Sequence, residues 1–377
     1  MPPVLPAHSE RLGMNIATRL PIIFLGMLSL IVGVLAGLAR LAVDVPTSAA
    51  AQAGNHGALM IAAFLGTVIS LERAVALGSA HRVWPYLAPL CAGLGGLALL
   101  LGIPVWVAQA LFTIAGSLLT AGSSLILRQQ PALYTATLAL GALSWLIGSI
   151  AWGGSGSILI AVPWWMAFLV LTIAGERLEL TRFLPTPVAA KRAFAIIVVV
   201  LLTGMSIAFW QEELGLSLYA TGLTVLSLWL VRYDIARHTV KQTGLPRYIA
   251  VCLLSGYIWL AFGSLLGAVG GFSPGNPLRD SALHAVFLGF VFSMIFGHAP
   301  IIFPAVARIK IPYHPAFYLQ LGVLHASLLM RVVGDLGDML PVRQVAAIAN
   351  GVALLTFVAT MVVSALRGRS NRYLKYA

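Results

Sequence analysis

Four of the eight histidines lie at or within long apolar segments, where an ionisable side chain is costly and is therefore a functional candidate. His56 begins one such segment, and His284 lies about one helical turn into another. Neutral imidazole nitrogens are common axial ligands of haem iron, and a b-type haem can take one from each of two helices. His298 and His325 form a second candidate pair, for a metal ion or a further haem.

The segments that carry these histidines are predicted to be membrane-spanning helices. The chain has 377 residues, of which 60% are hydrophobic and 9% charged, and its mean hydropathy is +0.95. These values lie outside the range of water-soluble domains. Backbone polar groups in hydrocarbon must be satisfied within the segment, and apolar runs of about 18 to 25 residues have the length of spanning helices. We therefore expect an all-α membrane protein with about twelve transmembrane helices.

Pro, Gly and clusters of charge separate the apolar runs from one another. No connection between them is long enough to form a soluble domain, so residues 1–377 are predicted to be a single polytopic transmembrane domain. The predicted helices cover 20–43, 56–78, 84–103, 104–127, 131–152, 157–175, 193–210, 214–231, 248–270, 281–303, 314–333 and 342–366.

The distribution of Lys and Arg predicts the direction of every helix. All but four of the 23 basic residues fall on one set of alternate ends and loops, which the positive-inside rule assigns to the cytoplasm. Both termini are then cytoplasmic, and the expected location is a bacterial cytoplasmic (inner) membrane. The net charge of +12 thus faces anionic lipid, and nucleic acid is not an expected partner. The four exceptions are Arg40, Arg279, Arg331 and Arg343.

These directions place His56 and His284 near the outer face, at depths that differ by only about 5 Å. His298 lies roughly 21 Å deeper than His284, so it cannot ligate the same iron, and His325 lies near mid-membrane. His56 and His284 are therefore predicted to be the axial ligands of a haem. The alternative is a pair of interfacial imidazoles in the headgroup region. For His298 and His325, the alternative to a second site is a structural or proton-handling role.

Two Glu-Arg pairs at cytoplasmic helix ends, Glu72-Arg73 and Glu176-Arg177, are predicted to form structural ion pairs. A Phe-Leu dipeptide precedes both pairs by the same interval, and a Phe-Leu-Gly run recurs at 287–289 in the tenth helix. The second, sixth and tenth helices are thus similar. This similarity is compatible with a pseudo-threefold arrangement of four-helix units, and chance similarity among Phe- and Leu-rich helices is the alternative.

At His56-Gly57-Ala58-Leu59-Met60, and at Leu283-His284-Ala285 with Gly289 and Met294, the sequence resembles the NnrS family. That family comprises haem- and copper-associated bacterial membrane proteins linked to nitric oxide metabolism. The chain is also similar to the catalytic subunit of haem-copper oxidases, in which histidines on the second and tenth helices hold the low-spin haem. The resemblance implies one or two haem b groups, and a redox partner or the subunits of a respiratory complex as partners.

The sequence also departs from both patterns. Position 282 is Ala where oxidases carry a second histidine, and the sixth helix has Trp164 and Trp165 where a copper ligand is expected. These differences argue against oxygen reduction and proton pumping, and leave a redox activity related to nitric oxide open. Copper is a further candidate cofactor, but Leu59-Met60 lacks the polar pair of the NnrS pattern, which argues against it.

The first functional hypothesis is a haem-binding, NnrS-like membrane protein that acts in nitric oxide or nitrosative-stress metabolism or in electron transfer. A haem-free, proton-coupled secondary transporter is the second hypothesis, since twelve helices with weak repeats suit that class equally well. A structural subunit of a respiratory membrane complex is the third. The optical spectrum of the purified protein distinguishes the first hypothesis from the second.

Overall fold

The computed structural model describes residues 16–78, 83–307 and 309–373, and no strand occurs among them. Eleven helices in this part of the chain are long and apolar enough to cross a membrane, and a shorter apolar helix lies between the second and third of them. The prediction of an all-α polytopic membrane protein is confirmed. The two termini, predicted to be cytoplasmic, lie outside the described residues.

The apolar helices are named in chain order. They are α1 (Thr18–Ala39), α2 (Ala58–Leu77), α3 (Trp84–Leu100), α4 (Val105–Gln129), α5 (Leu133–Ser155), α6 (Ile158–Leu180), α7 (Val188–Ile207), α8 (Glu212–Tyr233), α9 (Leu245–Gly271), α10 (Arg279–Pro304), α11 (Phe317–Leu336) and α12 (Leu340–Gly368).

The short helix α3 runs from one end of the bundle to the other. Near its start, Tyr86 packs in one apolar cluster with Ala74 of α2 and Val306. At its far end, the Leu99 carbonyl accepts a hydrogen bond of 2.8 Å from the side chain of Gln52, which lies between α1 and α2. A helix of this length rises about 25 Å. The alternation of helix directions expected for twelve segments is therefore retained.

The helices α2, α6 and α10 form the centre of the bundle. They are the most buried of the eleven long apolar helices, and each of the three contacts the other two. Large apolar side chains such as Phe24, Trp106 and Trp210 are exposed on outer helices and helix ends, as expected of surfaces that face lipid. The central position of every fourth helix is the placement that a pseudo-threefold arrangement of four-helix units requires.

Two of the central helices contain a long π-helical segment just after their candidate histidine. Ala58–Leu65 in α2 begins two residues after His56, and Ala285–Phe292 in α10 begins directly after His284. π-Helical turns are rare, and they occur often at functional sites, because the extra residue per turn redirects the side chains beside it. The unusual backbone conformation in α2 and in α10 thus occurs directly beside a candidate histidine.

Candidate functional site

The structure brings the imidazole rings of His56 and His284 close together. The centres of the two imidazole rings are 6.3 Å apart, and their planes differ by 23°. Metal–nitrogen bonds of about 2.0–2.1 Å on opposite sides of one ion place two ring centres roughly 6 Å apart. The observed separation is therefore one at which two imidazoles can share a metal ion.

A second aromatic pair shows that α2 and α10 are in matching register. Phe64 and Phe292 stack with ring centres 6.2 Å apart and planes 18° apart, and each lies eight residues after its histidine. The two π-helical segments fill these equal intervals, so equivalent positions of the two helices meet at both levels. The Phe-Leu-Gly similarity aligned Phe64 with Phe287, whereas the packing pairs Phe64 with Phe292.

Hydrogen bonds determine which nitrogen of each ring carries a proton. The Nδ1 of His56 lies 2.7 Å from the carbonyl oxygen of Gly33, and the Nδ1 of His284 lies 2.8 Å from that of Asp280. Because a carbonyl oxygen only accepts, each Nδ1 must carry a proton. In the part of the chain that the structure describes, neither Nε2 has a hydrogen-bond partner. A ring with Nδ1–H donated to an oxygen and Nε2 free has the arrangement of a metal-ligating histidine.

Helix α1 comes close to the His56 ring because its facing residue is glycine. A Cβ atom added at Gly37 would stand 2.7 Å from Cε1 and 2.9 Å from Nδ1 of His56. One turn earlier, a Cβ at Gly33 would stand 2.8 Å from the sulfur of Met60. The side chains of α2 therefore lie directly against the α1 backbone, and the Gly33 carbonyl is within reach of His56.

Beside the two rings lies a cavity of about 910 Å³, bounded by α1, α2, α6, α10, α11 and α12. This volume lies within the range of roughly 300–1,000 Å³ of ligand pockets. Apolar side chains form much of its lining. They include Met60, Leu65, Val162, Phe287 and Leu354.

All four basic residues that the charge pattern placed on the outer side line this one cavity. The sequence marked these arginines only as exceptions to the positive-inside distribution, and it gave no sign that they share a site. Charged groups near the membrane are retained where they have a partner or a function. The four residues are Arg40, Arg279, Arg331 and Arg343.

Two of the four arginines are neutralised by carboxylates. Arg331 is buried and binds Asp280 through two hydrogen bonds, Nε to Oδ2 at 2.7 Å and Nη2 to Oδ1 at 3.1 Å. Arg343 Nε lies 2.6 Å from Oδ1 of Asp335, whose other oxygen accepts a hydrogen bond from Ser281 at 2.7 Å. Of these two carboxylates, only Asp280 contacts a histidine: its Oδ1 lies 3.2 Å from Nδ1 of His284.

The other two arginines form no ion pair with any residue that the structure describes. Arg40 is exposed. Arg279 donates from Nε to the Phe272 carbonyl at 3.3 Å, and its buried Nη2 has no hydrogen-bond partner in the described part of the chain. A third carboxylate, the exposed Asp338, also lines the cavity. The cavity therefore has an excess of positive charge, with two guanidinium groups available to an anionic ligand.

His298 and His325, the predicted second pair, have different surroundings. His325 Nδ1 accepts a hydrogen bond from Trp259 Nε1 at 2.9 Å, so its Nε2 carries the proton and donates to Ser255 at 3.0 Å. His298 Nδ1 lies 2.7 Å from the Met294 carbonyl, and its Nε2 is buried without a partner among the described residues. The same residues contain no group of three or more His, Cys, Asp or Glu side chains that could hold a metal ion. The second site stays a prediction.

The charged pairs at the helix ends that were predicted to be cytoplasmic form contacts between helices. Arg73 of α2 forms an ion pair with Glu176 of α6, and Arg177 Nε lies 3.8 Å from Oδ2 of Asp234, which follows α8. Glu72 forms no ion pair with any described residue. Helix α6 continues to Leu180, five residues beyond the predicted end, and so carries both Glu176 and Arg177. The sequence analysis did not identify Asp234 as the partner of Arg177, because a carboxylate in a polar loop is usually solvated.

Of the residues that contact the two histidines, the sequence analysis did not identify Gly33, Gly37 and Asp280. The spacing of four residues between Asp280 and His284 was the available signal, since residues four apart lie on one face of a helix. No comparable signal existed for Gly37, because it acts on a histidine of another helix.

Comparison with known proteins gives one match. No curated protein and no solved structure matches the chain significantly. A family model matches residues 19–366, which includes all twelve helices except the first residue of α1 and the last two of α12. The chain therefore belongs to the family described as Domain of unknown function (DUF8744).

Proposed function

We propose that this integral membrane protein binds one haem b between His56 and His284 and transfers electrons through it. The observation that carries the proposal is the closely spaced pair of imidazoles, each with Nδ1–H bonded to an oxygen and Nε2 free. The resemblance to the NnrS family supports the same two ligands. When bound, haem supplies a one-electron carrier whose potential depends on its axial ligands and on the groups around them.

The lining of the cavity suits a large apolar ring with acidic substituents. Haem b is an apolar macrocycle with two carboxylates on one edge, and the cavity combines apolar walls with two arginines that form no ion pair with a described residue. Arg40 and Arg279 would hold these carboxylates through charge-assisted hydrogen bonds. His56 and His284 would orient the macrocycle, and the apolar walls would exclude water from it.

The proposed site lies near the outer face of the membrane, where the positive-inside rule places Arg40, Arg279 and the beginning of α10. A redox partner would therefore exchange electrons from that side, in a bacterial cytoplasmic membrane. Two histidine ligands would leave no position on the iron for a substrate, which favours electron transfer over reaction at the metal. The role in nitric oxide metabolism that the resemblance implies requires one of these positions to open.

The optical spectrum of the protein purified in detergent tests the proposal. We expect a Soret band, one haem b per chain by pyridine haemochrome assay, and the spectrum of a low-spin, six-coordinate iron. His56→Ala and His284→Ala should each abolish the low-spin spectrum. The matched control is His314→Ala, because His314 is exposed and lies outside the cavity. A colourless, metal-free wild-type protein, or a low-spin spectrum retained in both cavity variants, would refute the ligand assignment; the colourless protein would favour a transporter.

A further inference from the structure

The two histidines of the cavity differ in the charge of their hydrogen-bond partners. His284 donates its Nδ1 proton toward two oxygens of Asp280, one from the backbone and one from the carboxylate. Arg331 holds that carboxylate with two hydrogen bonds. His56 donates to a single neutral oxygen, the carbonyl of Gly33. Both rings thus donate to a peptide carbonyl, and only the His284 ring also has a carboxylate oxygen within 3.2 Å of the same nitrogen.

This difference changes the strength of the two rings as ligands. A carboxylate that accepts the Nδ1 proton shifts negative charge onto the imidazole and makes its Nε2 a stronger electron donor. A neutral carbonyl has a smaller effect, because charge-assisted hydrogen bonds are roughly twice as strong as neutral ones. His284 should therefore bind iron more strongly than His56.

The two rings are also anchored differently to the fold. His284 lies inside the regular first turns of α10, and Arg331 of α11 fixes its partner Asp280. His56 follows the short 3₁₀ turn Ala53–Asn55 and precedes α2, and no ion pair fixes the Gly33 carbonyl that accepts its proton. Rotation of His56 away from its place would break one hydrogen bond, that to Gly33, and would leave the ion pairs intact.

We infer that His284 is the permanent axial ligand and His56 the exchangeable one, so that a neutral diatomic molecule binds on the His56 side of the haem. The inference rests on the proposed function. In the exchange, the bond from His56 Nε2 is broken and one to the incoming molecule is formed, while no proton or electron moves. The same protein could then bind a small gas at a site that otherwise only transfers electrons.

Carbon monoxide is the probe, added to the dithionite-reduced protein in detergent. We expect His56→Ala to keep most of its haem in a five-coordinate form and to bind carbon monoxide at least about tenfold faster than the wild type, because no ligand must leave first. His284→Ala should lose most of its haem during purification, since loss of only the group that accepts a ligand's hydrogen bond, here Asp280, already lowers metal affinity about 10- to 100-fold. Size-exclusion chromatography identifies variants that have not folded.

Asp280→Asn tests the role of the carboxylate with the side-chain shape retained. We expect the haem midpoint potential to rise and haem affinity to fall about tenfold, because less negative charge reaches His284. The matched control is Asp335→Asn, which removes the carboxylate of the other ion pair at the same cavity and contacts neither histidine. This control removes the same charge from the cavity without touching a histidine, so its potential should rise less than that of Asp280→Asn.

The outcomes separate the inference from the proposed function. A wild-type protein without haem would overturn both. Haem that is retained in His284→Ala and lost in His56→Ala would leave the proposed function intact and reverse the assignment of the two ligands. Equal changes of the midpoint potential in Asp280→Asn and Asp335→Asn would show that the Asp280 carboxylate does not act through His284. Equal rates of carbon monoxide binding in the wild type and His56→Ala would show that His56 does not leave the iron.

Discussion

Replacing Gly37 by alanine adds one methyl group where α1 meets the His56 ring. The new Cβ would stand 2.7 Å from Cε1, whereas carbon atoms in contact are about 3.5–4.0 Å apart, so the ring must retreat by roughly 1 Å. The Gly33 carbonyl lies on the same helix as the new methyl group. The retreat therefore lengthens the 2.7 Å hydrogen bond to about 3.5 Å, which is beyond bonding distance.

The size of the effect on His56 ligation follows from the loss of the hydrogen bond between its ring and Gly33. A hydrogen bond contributes about 0.5–1.5 kcal/mol, so its loss alone lowers the population of correctly placed His56 by roughly 2- to 13-fold. A displacement near 1 Å also exceeds the tolerance of about 0.2 Å for a metal–ligand distance. We therefore expect at least about a tenfold loss of His56 ligation and little loss of haem, because His284 is untouched.

The assay is the ferric absorption spectrum, in which loss of one axial histidine converts low-spin to high-spin bands, together with the rate of carbon monoxide binding. The matched control is Gly322→Ala in α11, where an added Cβ meets no atom within 4 Å. The control should be indistinguishable from wild type. A Gly37→Ala protein with an unchanged low-spin spectrum would refute the placement of His56 against α1.

Three further sets of substitutions test other parts of the structure. Arg279→Gln should lower haem retention about tenfold, since a charge-assisted hydrogen bond is worth about 1.5–3 kcal/mol, and Arg40→Gln should lower it less because Arg40 is exposed. Wild-type retention in the double variant, measured by pyridine haemochrome assay, would contradict their role. His325→Phe should leave the spectrum and metal content unchanged while lowering the melting temperature, because two hydrogen bonds are lost. A loss of metal would instead support the predicted second site. Arg73→Glu should destabilise the protein by about 0.2–1 kcal/mol, and adding Glu176→Arg should restore stability; a double variant less stable than the single one would exclude their pairing.

The features that the sequence predicted are those that each membrane segment determines by itself. Lipid requires every spanning segment to satisfy its own backbone polar groups, so length and hydropathy predicted the helices one by one. The positive-inside rule then predicted the direction of each helix, and the direction predicts the depth of each residue in the membrane. His56 and His284 could be paired and His298 separated from His284 in this way, because a comparison of depths needs no knowledge of which helices are neighbours.

Lateral packing is a different problem, because apolar helix surfaces resemble one another and lipid tails are as apolar as the side chains. Only the tertiary structure decided that α2, α6 and α10 meet in the centre, and that Phe64 faces Phe292. It also decided that four arginines from separate segments line one cavity. These facts depend on contacts between distant parts of the chain, and no local pattern records them.

For the chemistry of the site as well, one part was predictable from the sequence and the other depended on the tertiary structure. The sequence by itself predicted that two histidines from two helices lie at one depth near the outer face, because helix length and direction together imply a depth. The tertiary structure decided their tautomers, through the oxygens of Gly33 and Asp280, and their inequality, through Arg331. Hydrogen bonds between helices depend on ångström distances, which only the assembled fold defines.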